Sequence, residues 1–145
     1  MRRSISISAV VLLVMALSAC ASGPTFSELA DSMTPLSPEK GRIYLYRSGS
    51  YGMIVQPNVR LNGNVIGEAV PRGFFFVDVM PGNYEISTQT EVERKLTLTL
   101  DKGQIRFVRL NMSIGFLVGH VYPELMEQAD AMEEITSCHY IGQPL

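Results

Sequence analysis

From Gly41 onward, apolar and polar positions alternate with a period of two, the spacing of a half-buried strand. Arg42 to Arg47 reads as a strand with Ile43 and Leu45 on one face and Tyr44 and Tyr46 on the other. Pro57 to Leu61 and Val65 to Gly67 flank Asn62-Gly63. This dipeptide predicts a two-residue hairpin, because both turn positions need positive φ. Gly73 to Val79 (Gly-Phe-Phe-Phe-Val-Asp-Val) is rich in strand formers. Met80 to Asn83 turns the chain into a strand over Tyr84 to Thr88. Pro81 and Gly82 predict a type II turn there, with positive φ at Gly82. The Tyr84 ring is expected to pack inward with its hydroxyl at the rim.

Arg94 to Leu100 places Leu96, Leu98 and Leu100 inward, and Asp101-Lys102-Gly103 turns the chain again. Gln104 to Leu110 breaks its alternation at Phe107-Val108, which predicts either a bulge or a strand buried on both faces. Ile114 to Val121 reads as a last strand, weakened by Gly115 and Gly119. At Pro123 the period changes to a helical one. Leu125, Met126, Ala129, Met132 and Ile135 share a stripe away from Glu124, Glu127, Asp130 and Glu134, so a helix is expected over Pro123 to Ile135. Seven or eight short strands between turn signals predict a mainly β domain: a single antiparallel β-sandwich with a C-terminal helix.

The first forty residues follow a different pattern. Arg2 and Arg3 precede an uncharged apolar run from Ile5 to Ala16, followed by Leu17-Ser18-Ala19-Cys20. The run is short for a membrane span and has the layout of a signal peptide. Leu-Ser-Ala-Cys resembles the lipobox of bacterial lipoproteins. There the cysteine thiol carries diacylglycerol, the chain is cut before it, and the new amino terminus is acylated. That resemblance implies a mature protein beginning at a lipidated Cys20. Two or more acyl chains hold a protein on a membrane far longer than one. Ala21 and Ser22 do not match an inner-membrane retention signal, which favours the outer membrane with the domain facing the periplasm. Residues 20–40 contain three prolines and many small polar residues, the composition of a flexible tether. Twenty such residues reach on the order of 25 Å as a coil and about 65 Å fully extended. Within the tether, Ser27 to Met33 can form a turn or two of helix, with Phe26, Leu29, Ala30 and Met33 on the side that would dock. The expected organisation is a signal peptide over 1–19, lipidated cysteine and tether over 20–40, the domain over 41–137, and a loose tail over 138–145.

Four ordered segments resemble a known family. They are Gly41 to Arg47, Val59 to Gly63, Phe74 to Ile86 and Gly103 to Val108. Together they look like a family of bacterial envelope lipoproteins whose domain has no assigned function, over roughly residues 39 to 135. The Pro81-Gly82-Asn83-Tyr84 piece also resembles PEGA-type and transthyretin-like β-sandwich modules, which serve mostly as adaptors, stalks or binding platforms. The family implies no catalytic residue.

Charge and candidate chemistry narrow the reading further. Setting aside Arg2 and Arg3 leaves 10 basic against 14 acidic residues, with no basic patch for nucleic acid. A thioether at Cys20 leaves Cys138 as a free thiol or as a partner for another chain. His139 is its neighbour in sequence, and adjacent side chains on an extended segment point apart, which makes a poor catalytic dyad. His120 reads as a structural histidine. Two histidines and one thiol, far apart, lack metal-ligand spacing. Glu91 and Glu93 sit beside Arg94 and Lys95, as in a solvated charged turn. No Gly-rich phosphate loop is present, and no cofactor is implied. The candidate partner surface is the loop Ser48 to Ile54 with Tyr51, Met53 and Ile54, together with Phe75. Phe75 faces opposite to Phe74 and Phe76. It is either an exposed anchor, a contact for the helix, or part of a strand buried on both faces. The function expected is a non-enzymatic, lipid-anchored binding or adaptor module, with an envelope protein as possible partner. The alternatives are an enzyme or inhibitor acting on envelope glycan or lipid, and a carrier of a small apolar ligand.

Overall fold

The computed structural model describes residues 21–114 and 119–142. Residues 1–19, Cys20 and the middle of the expected strand Ile114 to Val121 lie outside them. The elements in chain order are α1 (Phe26–Leu29), β1 (Gly41–Tyr46), β2 (Asn58–Leu61), β3 (Asn64–Glu68), β4 (Gly73–Val79), β5 (Gly82–Gln89), β6 (Glu93–Leu100), β7 (Ile105–Ser113), β8 (His120–Met126), α2 (Gln128–Ile135) and β9 (His139–Tyr140). The strands form a sandwich of two sheets, ordered β8-β7-β1-β4-β9 and β3-β2-β5-β6. Most pairings are antiparallel, while β1–β7 and β4–β9 are parallel.

Alternation in β1 explains why the larger sheet is buried on both sides. Ile43 and Leu45 face the other sheet and join a core with Val59, Ile86, Leu100 and Val108. Tyr44 and Tyr46 face outward, where α1 and α2 cover them with Phe26, Ala131 and Ile135. The ring of Phe26 meets Tyr44 and Phe74 edge-on, with centroids 5.5 and 5.3 Å apart. The Tyr44 ring stacks on Phe107 at 5.2 Å. Aromatic rings in contact therefore fill the space between sheet and helices. Phe107 belongs to this outer layer and Val108 to the inner one. β7 keeps an unbroken register with β1 and β8, so the slip in alternation marks two buried faces rather than a bulge. The register shift that does occur lies between Val59 and Arg60, in the β2–β3 hairpin.

Four expectations need correction. The helix does not start at Pro123: Val121 to Met126 continue β8, and α2 begins after Glu127. Proline at a helix start and proline on an edge strand look alike in sequence. Here Pro123 lies on the outermost strand of its sheet, where a missing N–H is tolerated. The expected loose tail contains a buried residue and a strand, because Cys138 is fully buried and β9 pairs with the edge of β4. Gly82 does not have positive φ and already belongs to β5. The corner is instead held by the Tyr84 hydroxyl, which donates to the Met80 carbonyl at 2.6 Å. Finally, the tether is not free: the expected docking side of its helical turn is packed on the domain, and the chain is held further back as well, with Ala21 bonded to Pro71. Thr25 caps α1 in a capping box with Glu28, Phe26 is buried, and Leu29 and Met33 pack beside it.

Candidate functional site

The sandwich has one closed side and one open side. On the closed side β8 leans over the second sheet, and the buried Thr88 hydroxyl donates to the Val121 carbonyl at 2.6 Å. On the open side, β4 pairs with β9 only at Gly73 and Phe74. From Phe75 to Val79 its outer edge has no strand partner among the described residues. The Phe74 carbonyl accepts from the Ile141 amide at 2.9 Å. Strand alternation turns the backbone groups of Phe76 and Asp78 the same way. Across from them lies β3, the edge of the other sheet. Between the two edges is a groove of about 450 Å³, lined by Ile66, Gly67, Glu68, Phe75, Asp78 and Tyr140 among others.

Arg42, outside the groove's lining, holds two of the residues that line it, Asp78 and Phe76. Arg42 makes a two-pronged ion pair with Asp78, at 2.7 and 2.8 Å, and donates to the Thr34 carbonyl at 2.8 Å. Its guanidinium carbon stands 4.1 Å over the Phe76 ring. The hydrogen bonds to Asp78 hold the Arg42 pKa above its ordinary value. Gly67 lets the Phe75 ring lie flat on β3, since an added Cβ would fall 2.7 Å from the ring.

A second group of residues organises one end of the sandwich. Arg47 leaves β1 almost fully buried, at 2% exposure. It donates to the carbonyls of Tyr51 (2.6 Å), Val55 (2.7 Å), Ala69 (2.8 Å) and Gly52 (3.0 Å). Burial lowers its pKa, and backbone carbonyls rather than a carboxylate satisfy its charge. Beside it, Arg109 joins β7 to Glu124 at 2.8 Å and to Glu134 of α2 at 2.6 Å, and Ser48 donates to Glu134 at 3.0 Å. Both Glu134 oxygens are thus engaged, as in a brace between helix and sheet. The hydrogen bonds from Arg109 hold the Glu124 carboxyl below its usual range.

The structure separates the residues singled out from sequence. Tyr51, Met53 and Ile54 lie together on the β1–β2 loop, with Ile54 98% exposed. Phe75 is 3% exposed and packed in the inter-sheet core, so it is not an exposed anchor. Its face of β4 is the one turned toward the second sheet. Cys138 is free and buried, and burial pushes its thiol up to about 11. The His120 ring lies 3.2 Å from the Thr90 hydroxyl and 3.7 Å from Glu91. Glu93 pairs with Lys95 at 3.5 Å. Among the described residues, no three His, Cys, Asp or Glu side chains gather as metal ligands would. The β4 groove and the hold of Arg47 on the β1–β2 loop carbonyls were not expected from sequence. Strand order creates the first, and nothing local to Arg47 distinguishes it from the exposed arginines.

A family model described as a protein of unknown function, DUF2846, matches residues 37–121. The chain belongs to this family. An uncharacterized protein of Haemophilus influenzae is 28% identical over 135 residues, covering 89% of this chain and 80% of the relative. The family match runs from just before β1 to the start of β8. It takes in both walls of the groove and the whole Arg47 loop. Docked α1, α2 and β9 flank it and cover the outer face of the larger sheet.

Proposed function

We propose that this protein is a non-enzymatic binding or adaptor module of the bacterial cell envelope. It is anchored by a lipidated Cys20 on the outer membrane and faces the periplasm. Its domain is a platform of the PEGA-type or transthyretin-like kind, and its site is the open side of the sandwich. There an extended segment of an envelope protein adds as a strand to β4, with its side chains in the groove facing β3. The observation that carries this reading is the outer edge of β4 from Phe75 to Val79, which has no strand partner among the described residues. Continuity supports the choice of occupant: β9 already pairs with this same edge for two residues, and the groove begins where β9 ends. The carrier alternative is disfavoured by the aromatic rings that fill the space between sheet and helices.

The test is photo-crosslinking in cells, with a photoreactive residue at Glu68 on the groove wall and a control at exposed Thr97 on the opposite edge. A discrete protein adduct at Glu68, absent at Thr97 and lost in Cys20→Ala, is the expected result. Adducts at neither position, with the protein still in the membrane fraction, would sink the binding site while sparing the anchor. Equal membrane fractionation of the wild type and Cys20→Ala would sink the anchor.

A further inference from the structure

The point where the chain enters the domain coincides with the domain's exposed apolar tips. The Ala21 amide reaches the Pro71 carbonyl at 3.4 Å, in the β3–β4 connection. Behind it the segment is pinned: the Tyr140 amide donates to Pro24, and the Phe26 amide donates to Cys138, at 2.8 and 2.9 Å. Gly23 passes so close to β9 that a Cβ there would overlap the Tyr140 carbonyl. Cys20 immediately precedes Ala21 in the chain. From Ala21 to Met33 the described chain is held against the domain at Ala21, Pro24, Phe26 and Met33, so a lipid carried on the residue before Ala21 would be attached at this end.

Strand directions bring four further features to this same end. The β1–β2 loop, the β5–β6 turn, the end of β7 and the start of β9 all lie where β1 leaves and β4 enters. The loop touches β7, since a Cβ on Gly52 would collide with Met112. Ser113 pairs with His120, whose ring reaches Thr90. Around this end Ile54 is 98% exposed, Ile114 83%, Tyr51 64%, Val92 47% and Met53 42%. The Arg47 guanidinium holds the backbone at Tyr51, Gly52 and Val55 from beneath, so the loop presents its apolar tip in a fixed shape. A buried cation spent on holding an isoleucine out in water makes sense when that tip has an apolar medium to enter.

We infer that this end of the sandwich sits directly on the lipid surface, with Tyr51, Met53 and Ile54 entering the interfacial layer beside the acylated Cys20. The inference rests on the reading of Cys20 as a lipidated residue. An aromatic residue beside apolar ones is the composition of a membrane-interface contact, and such contacts reach roughly 5–10 Å into the headgroup and acyl boundary. Standing on this end, the domain opens the β4 groove to the side, with β4 running away from the membrane.

The sequence contains no tryptophan, so one can be introduced as a single reporter. Full-length lipidated protein carrying Ile54→Trp would be reconstituted in phosphatidylcholine vesicles, alongside Ile114→Trp at the same end and Val65→Trp at the far end. Val65 is 51% exposed, so all three positions tolerate the change. The expected result is a blue-shifted emission for Ile54→Trp and Ile114→Trp and a loss of intensity with brominated lipid, with Val65→Trp unshifted and unquenched. Protein that floats with vesicles while Ile54→Trp stays unshifted and unquenched would overturn the lipid contact and leave the anchor standing. Protein that does not float would overturn the anchor and the inference together. Shielding of Ile54→Trp in native envelopes but not in vesicles would assign the tip to a protein partner and also overturn the inference.

Discussion

The two ends of the sandwich solve the same problem by different means. At the far end the chain reverses in tight turns whose own residues supply the geometry. Asn62 and Gly63 take φ of 48° and 83°, Gly103 takes 71°, and Tyr84 closes its corner on Met80. At the end where β1 leaves the sandwich, the β1–β2 connection runs from Arg47 to Pro57; besides a positive φ of 67° at Gly52 and a Val55–Gly52 backbone bond, it is held by the Arg47 side chain, which donates to three of its carbonyls and to that of Ala69. A turn of the first kind is local and replaceable. A loop of the second kind depends on a single residue. The largest predicted effect follows: Arg47→Met leaves buried carbonyls without a donor and costs about 3 kcal/mol. A urea midpoint that falls at unchanged m-value, with first proteolytic cuts between residues 48 and 56, would agree. Loss of exchange protection at Asn62 to Asn64 as strong as that in the loop would show that the two ends do not open separately, and would break the comparison.

The same end also contains the buried thiol. Cys138 lies under the Arg47 carbonyl, 3.9 Å away, and burial raises its thiol from about 9 to about 11. A raised pKa means that the folded state holds the proton more tightly than the unfolded one. Its stabilising contribution is complete below about pH 9 and is lost as pH rises through about 11. Burial shifts the Tyr140 hydroxyl in the same direction. Stability should therefore fall across this alkaline window, by less than Arg47→Met costs. Thiol reagents should label Cys138 only after unfolding. A Cys138→Ala protein with the same alkaline slope would assign the loss to other groups.

This contrast also explains what was legible in the sequence. Period-two alternation located β1 and β6 closely and strand propensity located β4; the opposition of Ile43 and Leu45 to Tyr44 and Tyr46 was legible too, while the burial of both faces needed the docked helices. Asn62-Gly63 announced its hairpin because the conformational demand and the residues that meet it are adjacent. Pro123 misled, since its missing N–H suits a helix start and an edge strand equally, and only strand order decides between them. The docking of Phe26 was readable as a helical stripe. The seat of Gly23 on β9 was not, because it depends on a residue 117 positions later. The β4 groove belongs to the same class, since an unpaired edge is a property of the whole sheet.

The smallest effect is the sharpest test of how local the far end is. A Cβ on Gly63 would meet nothing within 4 Å, so Gly63→Ala carries no packing penalty. What remains is the cost of a left-handed conformation, on the order of 1 kcal/mol. The β2–β3 hairpin also has a register shift between Val59 and Arg60, and its inward residues Val59 and Leu61 are buried. If those buried residues set the register, Gly63→Ala lowers the urea midpoint slightly and leaves the Trp reporter at Val65 unchanged in emission. If the turn sets it, the substitution lets β3 slip by one residue and turns Val65 toward the core. A blue shift at that reporter, together with a loss well above the conformational cost, would then show that this end too is held by a single residue.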